Sequence, residues 1–247
     1  MADRPPLVHA DPRGFDATRV WIFDLDNTLY PAECDLFAQV SQRMGAFVSE
    51  LLQVPLEEAR RIQKKYYYEH GTTLAGLMAI DKVDPHRFLD YVHDIDYSPV
   101  PAAPGLAAAI AALPGRRIIY TNGSRRHAER VAERLGITHL FEEIFDIADA
   151  GFLPKPRAEA YDRFLARHGV DAGEAAMFED LPANLEAPHA LGMTTVLVHA
   201  DLAEDSIYSE IRAWAALPDH VHHATEDLAT FLEEVAGVTP VQGGADR

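Results

Sequence analysis

The sequence predicts an α/β fold, a doubly wound parallel sheet with a Rossmann-like core, and an α-helical cap subdomain inserted after the first strand. Three observations predict it. Short apolar runs without polar alternation recur along the chain, as in strands that are buried on both faces of a parallel sheet. Amphipathic segments separate most of these runs, which indicates alternating strands and helices. The first separation is far longer, about 70 residues, and shows only helical patterns.

Each predicted strand is a short, mainly apolar run that is bounded by polar or turn residues. The runs are residues 20–23, 117–120, 144–147, 176–178 and 195–198. The helices between them have recognisable ends. Ser124 can cap the helix after the second strand, and Gly136 suits the left-handed position that ends this helix. Gly169 closes the next helix in the same way, so strands and helices alternate through the second half of the chain.

The segment after the first strand carries apolar residues at helical spacing. They are Leu36, Val40, Met44, Phe47 and Leu51. Further helical patterns cover residues 57–68, 73–80 and 85–95. Nothing in this segment has the pattern of a strand, so it interrupts the alternation of the core.

The insert divides the chain into two units. We assign residues 31–100 to the helical cap, and residues 1–30 and 101–247 to the α/β core. The two ends of the chain are polar and contain proline or glycine, which is typical of segments that pack weakly. We therefore expect residues 1–18 to form a loose arm and residues 238–247 to form a loose tail.

Composition disfavours several classes of function. The formal net charge of −17 argues against a nucleic-acid polymer as partner, because phosphate backbones are bound by clusters of Lys and Arg. No apolar run suits a membrane span, and the N-terminal residues lack the pattern of a signal peptide. Cys34 is the single cysteine, so no internal disulfide can form. We expect a cytoplasmic protein without a membrane partner.

Polar residues follow four of the predicted strands, at the sheet edge where open parallel sheets bind ligands. They are Asp24 and Asp26 after the first strand, Thr121, Asn122 and Gly123 after the second, Lys155 after the third, and Glu179 and Asp180 after the fourth. Four neighbouring carboxylates cannot all stay ionised unless a cation joins them, and one lysine is not enough. Hard oxygen ligands favour Mg²⁺. The sequence therefore predicts a magnesium site.

The same edge also offers groups that can hold a phosphate. Lys155, Thr121 and backbone N–H groups near Gly123 can contact the oxygens of a phosphate that the metal does not reach. A metal, a carboxylate and a lysine together are typical of phosphoryl transfer. We therefore expect a small-molecule phosphomonoester as the substrate.

Four motifs carry a resemblance to a known family. In chain order, "DLDNTLY", "TNG", "PKP" and "EDLPAN" resemble the four motifs of the haloacid dehalogenase-like hydrolase superfamily, in its phosphatase branch. The resemblance covers roughly residues 18–200 and includes a helical cap after the first motif. More narrowly, "DLDNTLYP", "YYYEHGTTLAGL" and "ITHLFEEIFDIAD" are similar to the pyrimidine 5′-nucleotidase group.

The resemblance implies roles for the two acids of the first motif. Asp24 would be the nucleophile and would form an aspartyl-phosphate. Asp26 would act as general acid toward the leaving group and then as general base toward water. Both would also be ligands of Mg²⁺, Asp26 through its backbone carbonyl. Dehalogenase chemistry needs neither an acid at this second position nor a metal, so Asp26, Glu179 and Asp180 favour phosphate chemistry.

The other motifs would complete the site. The resemblance implies that Thr121 hydrogen-bonds the phosphoryl oxygens and that Lys155 offsets the charge of nucleophile and phosphate. Asp180 would be a further ligand of Mg²⁺. Glu179 would either be a direct ligand or stand behind the ligands, and Asn184 would orient them.

Substrate specificity is expected to come from the cap. Tyr67, His70 and Thr72 are the candidates, because aromatic rings stack on nucleobases and hydroxyl groups contact ring edges. The resemblance implies a pyrimidine nucleoside 5′-monophosphate such as UMP or CMP. Two alternatives stay open. The site could serve another small-molecule phosphatase, acting on a sugar or organic acid phosphate, or a sugar phosphomutase. The protein could also be a non-catalytic module that binds a phospholigand.

Overall fold

The computed structural model describes residues 9–10, 13–199, 211 and 214–237. Within these residues, six parallel strands form one sheet in the order β3-β2-β1-β4-β5-β6. The strands are β1 (Val20–Phe23), β2 (Arg116–Tyr120), β3 (Glu143–Phe145), β4 (Ala175–Glu179), β5 (Thr194–Val198) and β6 (His223–Thr225). The predicted α/β fold with a parallel sheet is confirmed.

Helices cover both faces of this sheet. Those that the structure describes are α1 (Leu36–Leu52), α2 (Leu56–His70), α3 (Thr73–Asp81), α4 (Pro85–Val92), α5 (Pro104–Ala112), α6 (Arg125–Leu135), α7 (Ala158–His168), α8 (Pro182–Ala190) and α9 (Leu228–Val235). Along β1, Trp21 and Phe23 pack with residues of α5, α6 and α9, whereas Val20 and Ile22 pack with residues of α7 and α8. The sheet is therefore doubly wound, as the unbroken apolar pattern of β1 predicts.

The observed strands lie close to the predicted ones, with one exception at β3. Four of the five predicted strands differ from the observed bounds by at most one residue at either end. β3 ends at Phe145, two residues early, because Asp146 accepts hydrogen bonds from the backbone N–H groups of Arg125 and Asp149, at 2.8 and 2.9 Å. These bonds turn the chain out of the sheet. β6 is absent from the predicted set because its sequence, His-Ala-Thr, contains no apolar run.

Helices α1 to α4, between β1 and β2, build an apolar cluster of their own. Phe47, Leu77 and Phe88 are among its buried members. Two residues that follow β3, Ile147 and Phe152, pack into the same cluster, so the insert rests on the loop that leads to Lys155. In the part of the chain that the structure describes, no helix combines the length and the apolar character needed to cross a membrane.

The N-terminal arm is not loose along its whole predicted length. Phe15 stacks on Trp21 with ring centroids 5.7 Å apart and meets Phe231 edge-on at 5.9 Å. An apolar side chain with two aromatic partners holds this part of the arm on the core, so the prediction of a loose arm is wrong there. The predicted tail, residues 238–247, lies outside the described residues.

A buried histidine beside β5 makes folding stability depend on pH. The side chain of His222 is 9% exposed, and its Nδ1 accepts a hydrogen bond from the backbone N–H of Thr195 at 3.1 Å. Burial, and then electrostatic repulsion from His189, His9, His223 and Arg13, lower the pKa of His222 to about 4. In the unfolded chain the pKa of histidine is about 6.5.

We therefore expect acid to destabilise the protein through His222. Between pH 6.5 and 4 the unfolded chain binds a proton that the folded chain excludes, so stability falls as pH falls through this window. In urea unfolding, the parent should lose about 2 kcal/mol more between pH 7 and pH 5 than His222→Asn loses. Parallel losses in both proteins would contradict this assignment.

The connections of the sheet determine where a ligand can bind. The chain passes from β1 to β2 and β3 on one side and then crosses to β4, β5 and β6 on the other. Such a reversal opens a crevice at the carboxyl ends of the strands that flank it. Asp24 follows β1 and Asp180 follows β4, and the backbone N–H of Asp24 donates to Phe178 O at 2.9 Å. The acidic residues therefore stand at this crevice.

Candidate active site

Three carboxylates from two neighbouring strand ends form a cluster. Asp24, Glu179 and Asp180 each place one carboxylate oxygen within 4.8 Å of the others. All three side chains are buried. Carboxylates this close repel one another in a low-dielectric site, so the cluster needs positive charge from a neighbour or a ligand.

Part of that charge comes from Lys155, in the loop after β3. Its Nζ donates to Asp24 Oδ1 at 2.6 Å and lies 2.8 Å from Glu179 Oε1. A third contact, at 3.0 Å, goes to the backbone carbonyl of Tyr120. Burial alone would lower the pKa of Lys155, but the carboxylates of Asp24 and Glu179 outweigh burial and raise it. The amine therefore stays protonated although its residue is only 2% exposed.

The charge of Asp24 is only partly compensated by its neighbours. Its Oδ2 accepts a hydrogen bond from Thr28 Oγ1 at 3.2 Å, and its Oδ1 accepts from Lys155. Burial raises the pKa of Asp24 to about 7, the Lys155 ammonium opposes this, and the charges of Glu179 and Asp26 add to it. One amine shared between acids cannot hold the pKa of Asp24 in its ordinary range.

Glu179 contacts both Lys155 and residues that follow it in the chain. Oε1 contacts Lys155 and accepts from Asn184 Nδ2 at 2.7 Å, while Oε2 accepts from the backbone N–H of Leu181 at 2.8 Å. The predicted orienting residue Asn184 therefore orients Glu179. It lies inside α8, whose N-cap is Leu181. Both carboxylate oxygens of Glu179 thus have partners within the protein, and Glu179 also belongs to the group of acids that could hold a metal ion.

The donor set of the acidic cluster fits Mg²⁺. Asp24 and Asp180 offer only oxygen, the ligand that hard divalent cations prefer. Asn27 Nδ2 lies 3.4 Å from Asp180 Oδ2, a contact long enough to yield to a stronger partner. A bound dication would also remove the electrostatic cost that raises the pKa of Asp24.

Asp26 has a different environment from Asp24. Its Oδ1 accepts from Tyr30 OH at 2.6 Å and contacts His127 Nε2 at 2.8 Å. Burial alone would raise the pKa of Asp26, but the nearby His127 and the hydrogen bonds from His127 and Tyr30 lower it to about 2. The two acids of the first motif are thus pushed in opposite directions, which is typical of acids with different catalytic tasks.

The loop after β2 places the three predicted phosphate-binding residues beside the acids. Thr121 Oγ1 accepts from the backbone N–H of Gly123 at 2.8 Å, so its own proton is left to donate. Asn122 ties this loop to the next one, since its Oδ1 accepts from the backbone N–H of Lys155 at 2.9 Å. A Cβ on Gly123 would stand 3.2 Å from Thr121 Oγ1 and 3.7 Å from Asp26 Oδ2. Glycine therefore keeps space open between these groups.

The predicted specificity residues lie near the end of α2. A Cβ on Gly71 would be 3.7 Å from Pro154 Cγ, so this turn of the insert lies against the loop that carries Lys155. Tyr67 is 43% exposed. Thr72 caps α3, since its hydroxyl accepts from Ala75 N at 3.1 Å. His70 meets the ring of Tyr66 edge-on at 6.0 Å. The three candidates thus flank or adjoin Gly71, the residue of this turn that lies against the core loop, and Thr72 also has a structural role as the cap of α3.

Besides Lys155, three residues that the sequence did not single out contact the two motif acids, namely Thr28, Tyr30 and His127. Thr28 and Tyr30 lie inside the first motif, four residues after Asp24 and Asp26 respectively. His127 lies in the first turn of α6, shortly after the second motif. Each of these residues is polar and lies within about one helical turn of a motif. Such a position could have indicated them, because the loop after a strand and the start of the next helix lie at the same ligand-binding edge of the sheet.

The end of β1 therefore carries a buried aspartate that is paired with a lysine and flanked by further acids, at the ligand-binding edge of an α/β fold. The model of the haloacid dehalogenase-like hydrolase family matches residues 18–192, more than half of the chain. The protein therefore belongs to the haloacid dehalogenase-like hydrolases.

The chain is also similar to known proteins in sequence and in structure. Phosphate metabolism protein 8 of Saccharomyces cerevisiae is 28% identical over 225 residues, which cover 83% of this chain and 67% of that protein. A HAD phosphatase from Thermococcus onnurineus has a similar structure, with a TM-score of 0.58, 16% identity and coverage of 91% of this chain and 100% of that one.

A structure with the same fold represents another chemistry. L-2-haloacid dehalogenase from Xanthobacter autotrophicus, with chloropropionic acid covalently bound, gives a TM-score of 0.53 at 16% identity, and covers 90% of this chain and 100% of its own. The fold is therefore shared by a phosphatase and a dehalogenase. The reaction has to be argued from the side chains of the site.

Proposed function

We propose that this hydrolase is a Mg²⁺-dependent phosphatase that cleaves small phosphomonoesters through an aspartyl-phosphate. The observation that carries the proposal is the pairing of two unlike acids on one loop. Asp24 lies in the carboxylate cluster with Lys155, and Asp26 lies outside it, held by Tyr30 and His127. A dehalogenase would have no use for the second acid or for a cation-binding cluster.

In the first step a carboxylate oxygen of Asp24 attacks phosphorus, and the bond between phosphorus and the leaving oxygen breaks. Lys155 keeps Asp24 oriented and offsets the charge that gathers on the phosphate. Asp26 gives its proton to the leaving alkoxide. The negative charge of the bound phosphate raises the pKa of Asp26, which lets this acid acquire the proton before the reaction.

In the second step water attacks phosphorus of the aspartyl-phosphate and gives a proton to Asp26. The bond between Asp24 and phosphorus breaks, inorganic phosphate leaves, and both acids return to their starting forms. Thr121 donates its hydroxyl proton to a phosphoryl oxygen in both steps. When bound, Mg²⁺ neutralises charge on the phosphoryl oxygens, and Asp24, Asp180 and the backbone carbonyl of Asp26 would hold it, with Glu179 and Asn184 behind them.

For the substrate we favour a pyrimidine nucleoside 5′-monophosphate. The resemblance of "YYYEHGTTLAGL" to the nucleotidase group supports this choice, and so does the place of this stretch against the Lys155 loop. We further propose that residues 31–100 act as a cap, with Tyr67 and His70 contacting the base or sugar. An exposed tyrosine one helical turn before Gly71 is suited to stacking on a base.

A metabolite panel with Mg²⁺ tests the proposed function. We expect free phosphate from UMP or CMP with a kcat/KM at least about tenfold above that for purine nucleotides or sugar phosphates. Chelation of the metal should reduce turnover at least about 100-fold. Mg²⁺ at 100 times its Kd should also raise the free energy of unfolding by about 2.7 kcal/mol.

Several results would contradict the proposal. Halide release from 2-haloacids without phosphate release would identify a dehalogenase. Isomerisation of a sugar phosphate without free phosphate would identify a mutase. Tight binding of phosphomonoesters without any turnover would identify a binding module. Equal rates for all phosphomonoesters would leave the phosphatase in place and overturn only the nucleotide preference.

A further inference from the structure

The carboxylate of Asp26 is held at one oxygen by two side chains from different parts of the fold. Tyr30 OH donates to Oδ1 at 2.6 Å, and His127 Nε2 contacts the same atom at 2.8 Å. The other oxygen, Oδ2, lies 3.7 Å from the position that a Cβ on Gly123 would occupy. Two contacts on Oδ1 therefore turn Oδ2 toward the space that Gly123 keeps open beside Thr121.

The ring of His127 is itself fixed on two sides. Its Nδ1 lies 3.0 Å from Tyr97 OH, and its plane stacks on that of His93 with centroids 4.4 Å apart and an angle of 13°. The side chain of His127 is 0% exposed. His93 contacts Ser124 Oγ through Nδ1 at 2.9 Å, which ties the stack to the N-cap of α6. The ring therefore cannot rotate away from Asp26 without breaking these contacts.

The supporting residues lie at the two connections between the insert and the core. Tyr30 precedes α1, and His93 and Tyr97 follow α4. Asp26 is thus bonded directly to the outgoing connection and, through His127, to the returning one. An arrangement of this kind holds the acid only when both connections are in place.

We propose that Tyr30 and His127 are positioning residues that direct the proton-transferring oxygen of Asp26, Oδ2, toward the reacting phosphate, with Tyr97 and His93 supporting His127. The inference rests on the proposed phosphatase function and deepens it. Neither residue touches the substrate. Each acts through Asp26: by bonding to Oδ1, it restricts the carboxylate to the one orientation in which Oδ2 faces the phosphate.

A merely structural role explains these contacts less well. A fully buried imidazole needs a hydrogen-bond partner, and Tyr97 already provides one. Tyr30 is also buried, and its phenol donates to the same oxygen of Asp26. Both donors contact the same oxygen of Asp26, the acid of the first motif that lies outside the carboxylate cluster. This convergence indicates that they serve to orient Asp26.

Burst kinetics with an aryl phosphate separate the two explanations. Expulsion of 4-nitrophenolate needs little help from an acid, whereas hydrolysis of the aspartyl-phosphate needs the base. We expect Tyr30→Phe and His127→Gln to release a burst of nitrophenol close to one equivalent of enzyme. Steady turnover should then be about 10- to 100-fold below that of the parent, with KM changed less than about threefold.

A series of leaving groups and a control variant complete the test. With alkyl phosphates the same variants should lose the burst, because their poor leaving groups need the proton of Asp26 in the first step. Tyr91→Phe removes an exposed contact of the insert, the 2.7 Å hydrogen bond to Glu50, and should behave like the parent. Tyr97→Phe should show a smaller defect than His127→Gln.

The outcomes are distinguishable. An active parent whose Tyr30→Phe and His127→Gln variants keep parent turnover would overturn the positioning role and leave the phosphatase intact. Burst and turnover falling together, in step with a lower thermal midpoint, would show a structural role and also overturn it. A parent that releases no phosphate with Mg²⁺ from any of these esters would overturn the proposed function, and the positioning role with it.

Discussion

Asp24→Asn is expected to abolish phosphate release, with kcat at least about 10³-fold below that of the parent. An amide cannot form the acyl-phosphate bond, and no other carboxylate of the cluster stands in its place at the end of β1. The amide oxygen can still accept from Lys155, so the fold should persist. The measurement is phosphate release from an aryl phosphate with Mg²⁺, together with a thermal melt of both proteins.

The intermediate itself can be observed in the same experiment. Acid quenching of the parent during turnover should leave one phosphoryl group on the peptide that contains Asp24, and the variant should show none. Asp162→Asn, an exposed acid on α7, is the matched control and should retain parent activity. Turnover by Asp24→Asn at the parent rate would remove the nucleophile assignment.

Much of this site was predictable because one rule of the fold converts sequence order into proximity. Parallel strands end at a common edge, so a residue that follows a predicted strand is placed before any contact is known. More than a hundred residues separate Asp24 from Lys155 and Glu179. In the structure Lys155 Nζ nevertheless lies 2.6 Å from Asp24 Oδ1 and 2.8 Å from Glu179 Oε1. The strand pattern alone was sufficient to bring them together.

The roles of the individual acids were harder to predict from the sequence. Four acids at one edge indicate a cation, but the spacing does not say which acid faces it. The structure divides them by their hydrogen bonds. Glu179 accepts from Asn184 and Leu181 and contacts Lys155, whereas Asp26 is bonded to Tyr30 and His127. These hydrogen-bond partners lie in loops and at the starts of helices. Tertiary packing determines where their side chains point, and the periodicity of a single sequence does not reveal it.

The contact between His127 and Asp26 shows the same limit. The two residues are 101 positions apart, and His127 reads as one polar residue in the first turn of an amphipathic helix. Its burial follows from the stacking of His93 and the approach of Tyr97, both from the returning connection of the insert. That approach depends on how helices α1 to α4 dock on the core.

Replacement of Lys155 by methionine is expected to lower the free energy of unfolding by about 3 kcal/mol in the absence of divalent metal. Methionine fills a similar volume but leaves Asp24 and Glu179 buried without the amine that contacts both, at 2.6 and 2.8 Å. The phosphate charge would also go unopposed, so kcat should fall about 100-fold or more. Urea unfolding with and without Mg²⁺ measures the first effect.

The loss should depend on the acids, which a double-mutant cycle can show. If repulsion between uncompensated carboxylates destabilises Lys155→Met, then Lys155→Met combined with Glu179→Gln should be more stable than Lys155→Met alone, by about 1–2 kcal/mol. Mg²⁺ should reduce the loss for the same reason, since it supplies charge to Asp24. Lys65→Met, at an exposed position on α2, should change stability by less than about 0.5 kcal/mol. Equal losses in the single and double variants would mean that Lys155 stabilises the fold through packing of its alkyl chain, and the charge balance proposed for the site would then be wrong.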